Sequence, residues 1–347
     1  MKSKEIKLAY LAGALDGDGS FSLIKGTSHT SVSPLYYPMI QLANTRKELI
    51  DILVDEFGGM TGVRKPYVGK DGSQRIASYH WKLEKSIKCL PVLEELIPYL
   101  IVKKERASFL RDYIVNNPKC HSQISDSLLI QREKAYLKMR SFNDNAETNC
   151  NLFSKAKRKD SDDEFFWAYV AGIMDTDGSF SLKKENRTFG GSISPVYTPT
   201  ILLTMTDCKA IYYIMNNFSG GNLCVVRAKT ATNGFCYRFS ITSRKNASIF
   251  LEKCIPFLII KNSVAQELLL FCNTVKLMNG KAGISPEQIL FRERFYNAIK
   301  ELNNGVSKPS LMDLKFLPDN AGDNKAEGES HRERSKREGT LNGDAVL

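Results

Sequence analysis

The chain has 347 residues and a net charge of +11; residues 318–347 carry −2 of it, so the remainder stands near +13. A body this basic favours an anionic partner captured in a salt-dependent way, while eight singly scattered cysteines exclude a zinc ribbon or disulfide framework and fit a reducing compartment. No apolar run reaches ~18 residues, so no membrane span is expected, and the stretch before the first element is too short for a targeting peptide.

In chain order, residues 5–15 have helical spacing, with Ala9 and Gly13 four apart. FSLIK (21–25) and YPMIQLA (37–43) alternate as strands. Residues 46–57 form an amphipathic helix with Leu49, Leu53 and Phe57 on one face, stopped by Gly58-Gly59. GVRKPYV (62–68) and QRIASYHWKL (74–83), joined by GKDGS, predict a hairpin. Helices follow over 86–97, 103–115 and 125–141, the first two interrupted near Pro98.

The same order then returns. Residues 8–23 (LAYLAGALDGDGSFSL) and 167–182 (WAYVAGIMDTDGSFSL) match at eleven of sixteen positions. SVSPLYYP (31–38) pairs with SISPVYTP (192–199), SYHWKL (78–83) with CYRFSI (236–241), and PYLIVK (98–103) with PFLIIK (256–261). SDSLLIQREKAYLKMRSFN (125–143) pairs with SPEQILFRERFYNAIKELN (285–303). This is a tandem duplication of a unit of roughly 140–150 residues, an ordinary domain size. The fold class expected is α+β, two pseudo-symmetric α-β-β-α-β-β-α units. The domains are 1–143, a polar linker at 144–164 containing Lys155, Lys157, Arg158 and Lys159, 165–305, and a C-terminal extension at 306–347, disordered from about 318 by composition.

Each first helix runs into two carboxylates: Asp16 and Asp18, then Asp175 and Asp177. A calcium loop is excluded, because its sixth position must be Gly and here it is Phe21 and Phe180. Ordinary turn chemistry accounts for one such junction; two copies between the same helix and strand point instead to a hard-cation site of the Mg²⁺ kind. The four histidines, His29, His80, His121 and His331, do not recur between the units, so a histidine-bound metal has no support. Ala9, Ala12 and Gly13, with Ala168, Ala171 and Gly172, would let the two helices pair closely and bring their terminal acids together.

LAGALDGDG (11–19) and VAGIMDTDG (170–178) resemble the LAGLIDADG motif of homing endonucleases, in the single-chain, two-motif form. The resemblance covers about 8–303. It implies a β-saddle that binds double-stranded DNA, a monomer, and site-specific double-strand cleavage with Mg²⁺ or another divalent cation such as Mn²⁺. In that family the last acid of each motif binds the metal, here Asp18 and Asp177, helped by the carbonyls of Gly17 and Thr176; Asp16 and Asp175 are structural. Lys103 and Lys261 match the basic active-site position, where they would stabilise phosphate charge or polarise water. Asn44 and Arg46 fall where the family has further polar active-site groups; the second unit departs from this with Met205 and Asp207, which makes the site asymmetric. The resemblance also implies intron encoding, with an organelle or the bacterial cytoplasm as the compartment. It admits an RNA maturase bound to its host intron as the alternative.

Strand alternation assigns the opposing faces. Phe21, Leu23, Ile40, Leu42, Tyr79, Trp81 and Leu83 face the core, as do Phe180, Leu182, Ile201, Leu203, Tyr237, Phe239 and Ile241. The other face carries Ser22, Ile24, Tyr37, Met39, Gln41, Ser78, His80 and Lys82 in the first unit. Its counterpart carries Ser181, Lys183, Glu185, Thr198, Thr200, Cys236, Arg238 and Ser240, and Arg64, Arg227 and Lys229 add positive charge. Such a face suits base reading in the major groove. Because the two faces differ, the expected target is an imperfect palindrome of roughly 20 base pairs.

Overall fold

The computed structural model describes residues 3–28, 31–69, 72–117, 125–142, 160–189, 192–227, 235–275 and 285–305. All of them belong to one compact unit, Met1–Leu311. The reading of 306–347 as a disordered extension, Lys229, and most of the linker lie outside the described residues.

Helix α1 (Lys4–Asp18) starts where the Ser3 side chain accepts from the Ile6 amide, an N-cap that satisfies one orphan donor. It passes directly into the antiparallel pair β1 (Gly19–Ser28) and β2 (Ser31–Asn44). Then come α2 (Lys47–Phe57), β3 (Met60–Arg64), the two-residue strands β4 (Tyr67–Val68) and β5 (Gln74–Arg75), β6 (Ser78–Glu84), α3 (Ser86–Leu96), α4 (Lys104–Asn116) and α5 (Asp126–Ser141). The predicted hairpin is present: β3 pairs with β6, and β4 with β5 extends it beyond the sheet.

The second half repeats this as α6 (Glu164–Thr176), β7 (Gly178–Phe189), β8 (Ser192–Met205), α7 (Lys209–Asn217), β9 (Asn222–Arg227), β10 (Phe235–Ile241), α8 (Arg244–Cys254), a short 3-10 turn at Ile255–Phe257, α9 (Asn262–Thr274) and α10 (Pro286–Asn303). Each half therefore holds one four-stranded antiparallel sheet, ordered β1-β2-β6-β3 and β7-β8-β10-β9.

The alternation follows the period-two rule. Phe21, Leu23, Ile40, Leu42, Trp81 and Leu83 are buried, as are all seven core positions expected in the second half. Tyr79 is only half-buried. The helices cover this side of each sheet. Helix α1 is buried over Leu8–Asp16 and α6 over Phe166–Asp175, far more than an amphipathic surface helix would be, because these two helices pack on each other as well as on their sheets.

Candidate metal and nucleic-acid site

The approach of α1 to α6 is set by two glycines. A Cβ on Gly13 would sit 2.1 Å from the Tyr169 carbonyl oxygen, and one on Gly172 would sit 2.0 Å from that of Tyr10. Backbone touches backbone here, as in small-residue helix pairs. The pairing is locked by crossed hydrogen bonds: Tyr10 Oη donates to Asp175 Oδ2 at 2.8 Å, and Tyr169 Oη to Asp16 Oδ2 at 2.9 Å.

The first acid of each motif is structural. Asp16 accepts the amides of Ile101, Val102 and Lys103 at 2.8–2.9 Å, ahead of α4. Asp175 accepts those of Ile259, Ile260 and Lys261 at 2.8–3.1 Å, ahead of α9. A buried carboxylate satisfied by helix-start amides anchors one element to another. Burial pushes the Asp16 pKa up, and the Val102, Ile101 and Lys103 amides and the Tyr169 hydroxyl oppose it. Asp16→Asn keeps the volume but turns half of this acceptor into a donor. The expected loss is about 2 kcal/mol, read as a lower urea midpoint; an unchanged midpoint would show that the anchor contributes nothing.

The second acids stand differently. Asp18 and Asp177 are exposed at the ends of α1 and α6. Protein packed around Asp18 raises its pKa, with the Asn44 hydrogen bond and then Lys103 and Lys261 opposing. Asp177 is raised by the same crowding and then by the charge of Asp18, against Lys103 and Lys261. The two carboxylates therefore sense each other, and a Cβ on Gly17 would lie 3.3 Å from Asp177 Oδ2. Asn44 Nδ2 donates to Asp18 Oδ2 at 2.7 Å. Its counterpart Met205 offers no such donor and is buried, so the asymmetry expected at this position is real in the fold.

Lys103 Nζ donates to the carbonyls of Leu15, Gly17 and Gly19 at 2.7–2.8 Å. Lys261 Nζ does the same to Met174, Thr176 and Gly178 at 2.6–3.1 Å. Each ammonium closes the C-terminal end of a motif helix, where the dipole favours a cation. Burial lowers the Lys103 pKa to about 8, with Asp16, Asp177 and Asp18 opposing. Lys261 is lowered by burial too, and by Arg46, whose positive charge reaches across to it from the other half. The Arg46 backbone amide is held by Asn44 Oδ1 at 2.8 Å, and its side chain is exposed.

The donor set fits a hard divalent cation. It offers two mutually repelling carboxylates and the carbonyls of Gly17 and Thr176, all oxygen. Each carbonyl bonds a lysine in this structure but has a second lone pair. Among the described residues no cluster of three or more His, Cys, Asp or Glu forms, so the rest of a coordination shell would come from phosphate and water.

Register places most of the residues expected on the polar face on one side of each sheet, away from the helices. Ser20, Gln41, Lys82 and Met60 lie in one row across the first sheet, Ser22 with Met39 and Ile24 with Tyr37 in others. His80 lies across Gly62, and Arg64 stands opposite Ser78. In the second sheet Ser181 faces Thr200, Lys183 faces Thr198, Glu185 faces Val196, Arg238 lies beside Thr204, and Ser240 beside Leu202.

The assignments of Arg227 and Thr200 change. Arg227 pairs with Phe235, so it has core-side parity; Val226, opposite Cys236, takes the place that Arg64 has in the first half. Thr200 is 8% exposed, with its hydroxyl turned to the Thr198 carbonyl, and is covered rather than reading. Glu185 keeps its place on this face, ion-paired with Lys183 and Arg187. Sequence reasoning did not find the crossed Tyr10 and Tyr169 bonds. The matched tyrosines at positions 10 and 169 were the available signal.

No protein-family model and no curated protein sequence matches the chain. Solved structures do. The meganuclease I-SmaMI bound to uncleaveable DNA has a TM-score of 0.56 at 15% identity, covering 85% of this chain and 99% of that one. The I-LtrWI LAGLIDADG homing endonuclease bound to target DNA has a TM-score of 0.56 at 16% identity, covering 84% and 97%. This chain has the fold of the LAGLIDADG homing endonucleases. I-SmaMI has also been seen with uncleaved DNA target in the presence of calcium ions, at a TM-score of 0.55, 14% identity and coverage of 84% and 98%. The described residues contain no helix long and apolar enough to cross a membrane.

Proposed function

We propose that this chain is a monomeric, divalent-metal-dependent endonuclease that cuts both strands of a long, imperfectly palindromic DNA site. One observation carries the reading: Asp18 and Asp177 meet at the ends of two helices locked together by Gly13 and Gly172, each beside a half-buried lysine. The strands leaving these acids carry the polar sheet faces, which we assign to the major groove as a β-saddle. Solved structures of this fold bound to DNA, those of I-SmaMI and I-LtrWI, support the assignment. Both halves contribute an acid, so one chain completes the site. Retention of both acids favours cleavage over the RNA maturase alternative. By the intron encoding that this reading implies, we place the protein in an organelle or the bacterial cytoplasm.

Mg²⁺ or Mn²⁺ held by Asp18, Asp177 and the carbonyls of Gly17 and Thr176 would activate water and stabilise the leaving oxygen. The protein's own groups do the rest. Asn44 orients Asp18, and Lys103 and Lys261 keep the motif ends closed while placing positive charge next to the phosphates. Arg46 adds a further cation on one side, where the second half has Asp207.

Cleavage selection from a randomised duplex library with Mg²⁺ tests the reading. A single enriched target of roughly 20 base pairs, cut near its middle, is expected; an unselective or inert protein would refute it. Lys103→Ala is expected to slow cleavage about 10²–10³-fold while binding weakens far less. Equal loss of cleavage and binding would make Lys103 a phosphate anchor instead.

A further inference from the structure

One side-chain cluster is built twice and lies away from the acids. In the first half Lys25 and Tyr36 are direct cross-strand partners on β1 and β2, on the helix-covered side. Lys25 Nζ reaches Glu133 Oε2 of α5 at 2.7 Å, and the Tyr36 hydroxyl donates to the same oxygen. The ammonium sits 5.8 Å from the Tyr36 ring centre and 5.9 Å from that of Tyr136, and the two rings meet edge to face at 6.1 Å.

The second half repeats every member. Lys184 and Tyr197 are partners across β7 and β8. Lys184 Nζ lies 2.8 Å from Glu293 Oε2 of α10, the Tyr197 hydroxyl donates to that carboxylate, and the ammonium is 5.8 and 5.7 Å from the Tyr197 and Tyr296 rings. Glu133 and Glu293 are both held below the usual carboxylate range, by the lysine hydrogen bond first and the tyrosine hydroxyl second.

An isolated, partly exposed ion pair contributes little. A carboxylate shared by an ammonium and a phenol, with that ammonium against two rings, is a fixed network. Its placement matters more than its energy. The residues next along the same strands, on the opposite face, are Ile24 and Tyr37 in one half and Lys183 and Thr198 in the other. The rear cluster is the same in both copies, and the front residues differ. A scaffold kept constant behind divergent readers is the pattern of a positioning device.

We propose that each Lys–Glu–Tyr–Tyr cluster clamps its long hairpin to the last helix of its half, and so sets how the outer part of one DNA half-site is read. This rests on the endonuclease reading above. Lys25, Tyr36, Glu133 and Tyr136 are positioning residues for one half-site, and Lys184, Tyr197, Glu293 and Tyr296 for the other. The two clamps act independently, because each is made within its own half.

The test uses the full chain with Glu133→Gln, Glu293→Gln and the milder Tyr36→Phe, in two measurements. Amide hydrogen exchange on the free protein reads the hairpins, and competitive cleavage of single-base variants of the selected target reads each half-site. Glu133→Gln is expected to speed exchange in β1 and β2 about tenfold and to flatten base preference at the outer positions of one half-site about tenfold, through KM rather than kcat. Glu293→Gln should do the same in β7 and β8 and the other half-site, and Tyr36→Phe should act in the direction of Glu133→Gln but less. Unchanged exchange in all three variants overturns the clamp. Faster exchange with an unchanged base profile, or loss spread over both half-sites, overturns the positioning role while leaving the endonuclease intact. A wild-type chain that cuts no duplex, with exchange altered as expected, overturns the endonuclease reading and the positioning role with it.

Discussion

Gly13→Ala is expected to destabilise the protein by upwards of about 3 kcal/mol, lowering its melting temperature by on the order of 10 °C. The sign is what makes this informative. In an ordinary helix interior the same change stabilises by about 1 kcal/mol, since alanine is the better helix former. Here the new Cβ would lie 2.1 Å from the Tyr169 carbonyl oxygen and 3.0 Å from the Ile173 amide nitrogen, both backbone atoms of α6 that cannot swing aside. The helices must part, and parting them stretches the crossed bonds from Tyr10 to Asp175 and from Tyr169 to Asp16. Gly172→Ala meets the Tyr10 carbonyl in the same way and should cost as much. Gly26→Ala is the control: its Cβ would touch only a Tyr37 ring carbon at 3.4 Å, and little change is expected. Calorimetry of the three variants decides the matter, and a Gly13→Ala protein as stable as wild type would show that the helices do not pair this closely.

Asp18→Asn should abolish double-strand cleavage, with a loss of at least about 10³-fold on the target, while binding at low salt survives. The same substitution should leave the metal-free fold intact or make it slightly more stable. Asp18 is raised above the ordinary carboxylate range when folded, by the protein packed around it. A raised acid favours the folded state only while protonated. That advantage is complete below the unfolded pKa and lost as pH rises through the folded one. At neutral pH the ionised carboxylate is therefore a burden, and a neutral Asn removes it. The stability difference should vanish near about pH 3 and appear as the carboxylate ionises. Asp177→Asn should behave alike, since its pKa is raised by crowding and then by Asp18. Loss of cleavage together with a collapsed fold would instead mean that these acids are structural, as Asp16 and Asp175 are. Retained double-strand cleavage would remove Asp18 from the metal site.

Much of this architecture is legible in the sequence because duplication doubles each signal. The helix-to-strand switch at Asp16–Asp18 recurs at Asp175–Asp177, and the small residues that permit close pairing are visible as Ala9, Gly13, Ala168 and Gly172. What escapes is whatever depends on contact between the halves or on one residue of register. Tyr10 and Asp175 are 165 positions apart, and no local pattern links them. Arg227 looks equivalent to Arg64 when basic residues are matched by eye. The pairing of Arg227 with Phe235 moves it to the other face, because a single-residue slip inverts a strand. The lysine at the end of PYLIVK reads as a group awaiting phosphate. In the fold its ammonium is already shared among three main-chain carbonyls, a partner set that sequence does not display.

Gly17 and Thr176 occupy matching places on the two motif helices, yet they are not interchangeable. A Cβ on Gly17 would fall 2.1 Å from Thr176 Oγ1 and 2.8 Å from its Cβ, and that hydroxyl is already committed to the carbonyls of Gly172 and Ile173. The axis between the halves has room for one threonine. If the halves were separated and allowed to reassemble, two first halves would meet glycine to glycine, but two second halves would meet threonine to threonine. Chain fusion therefore does more than tether two similar pieces: it sets a glycine where a second copy of the same half would bring another threonine.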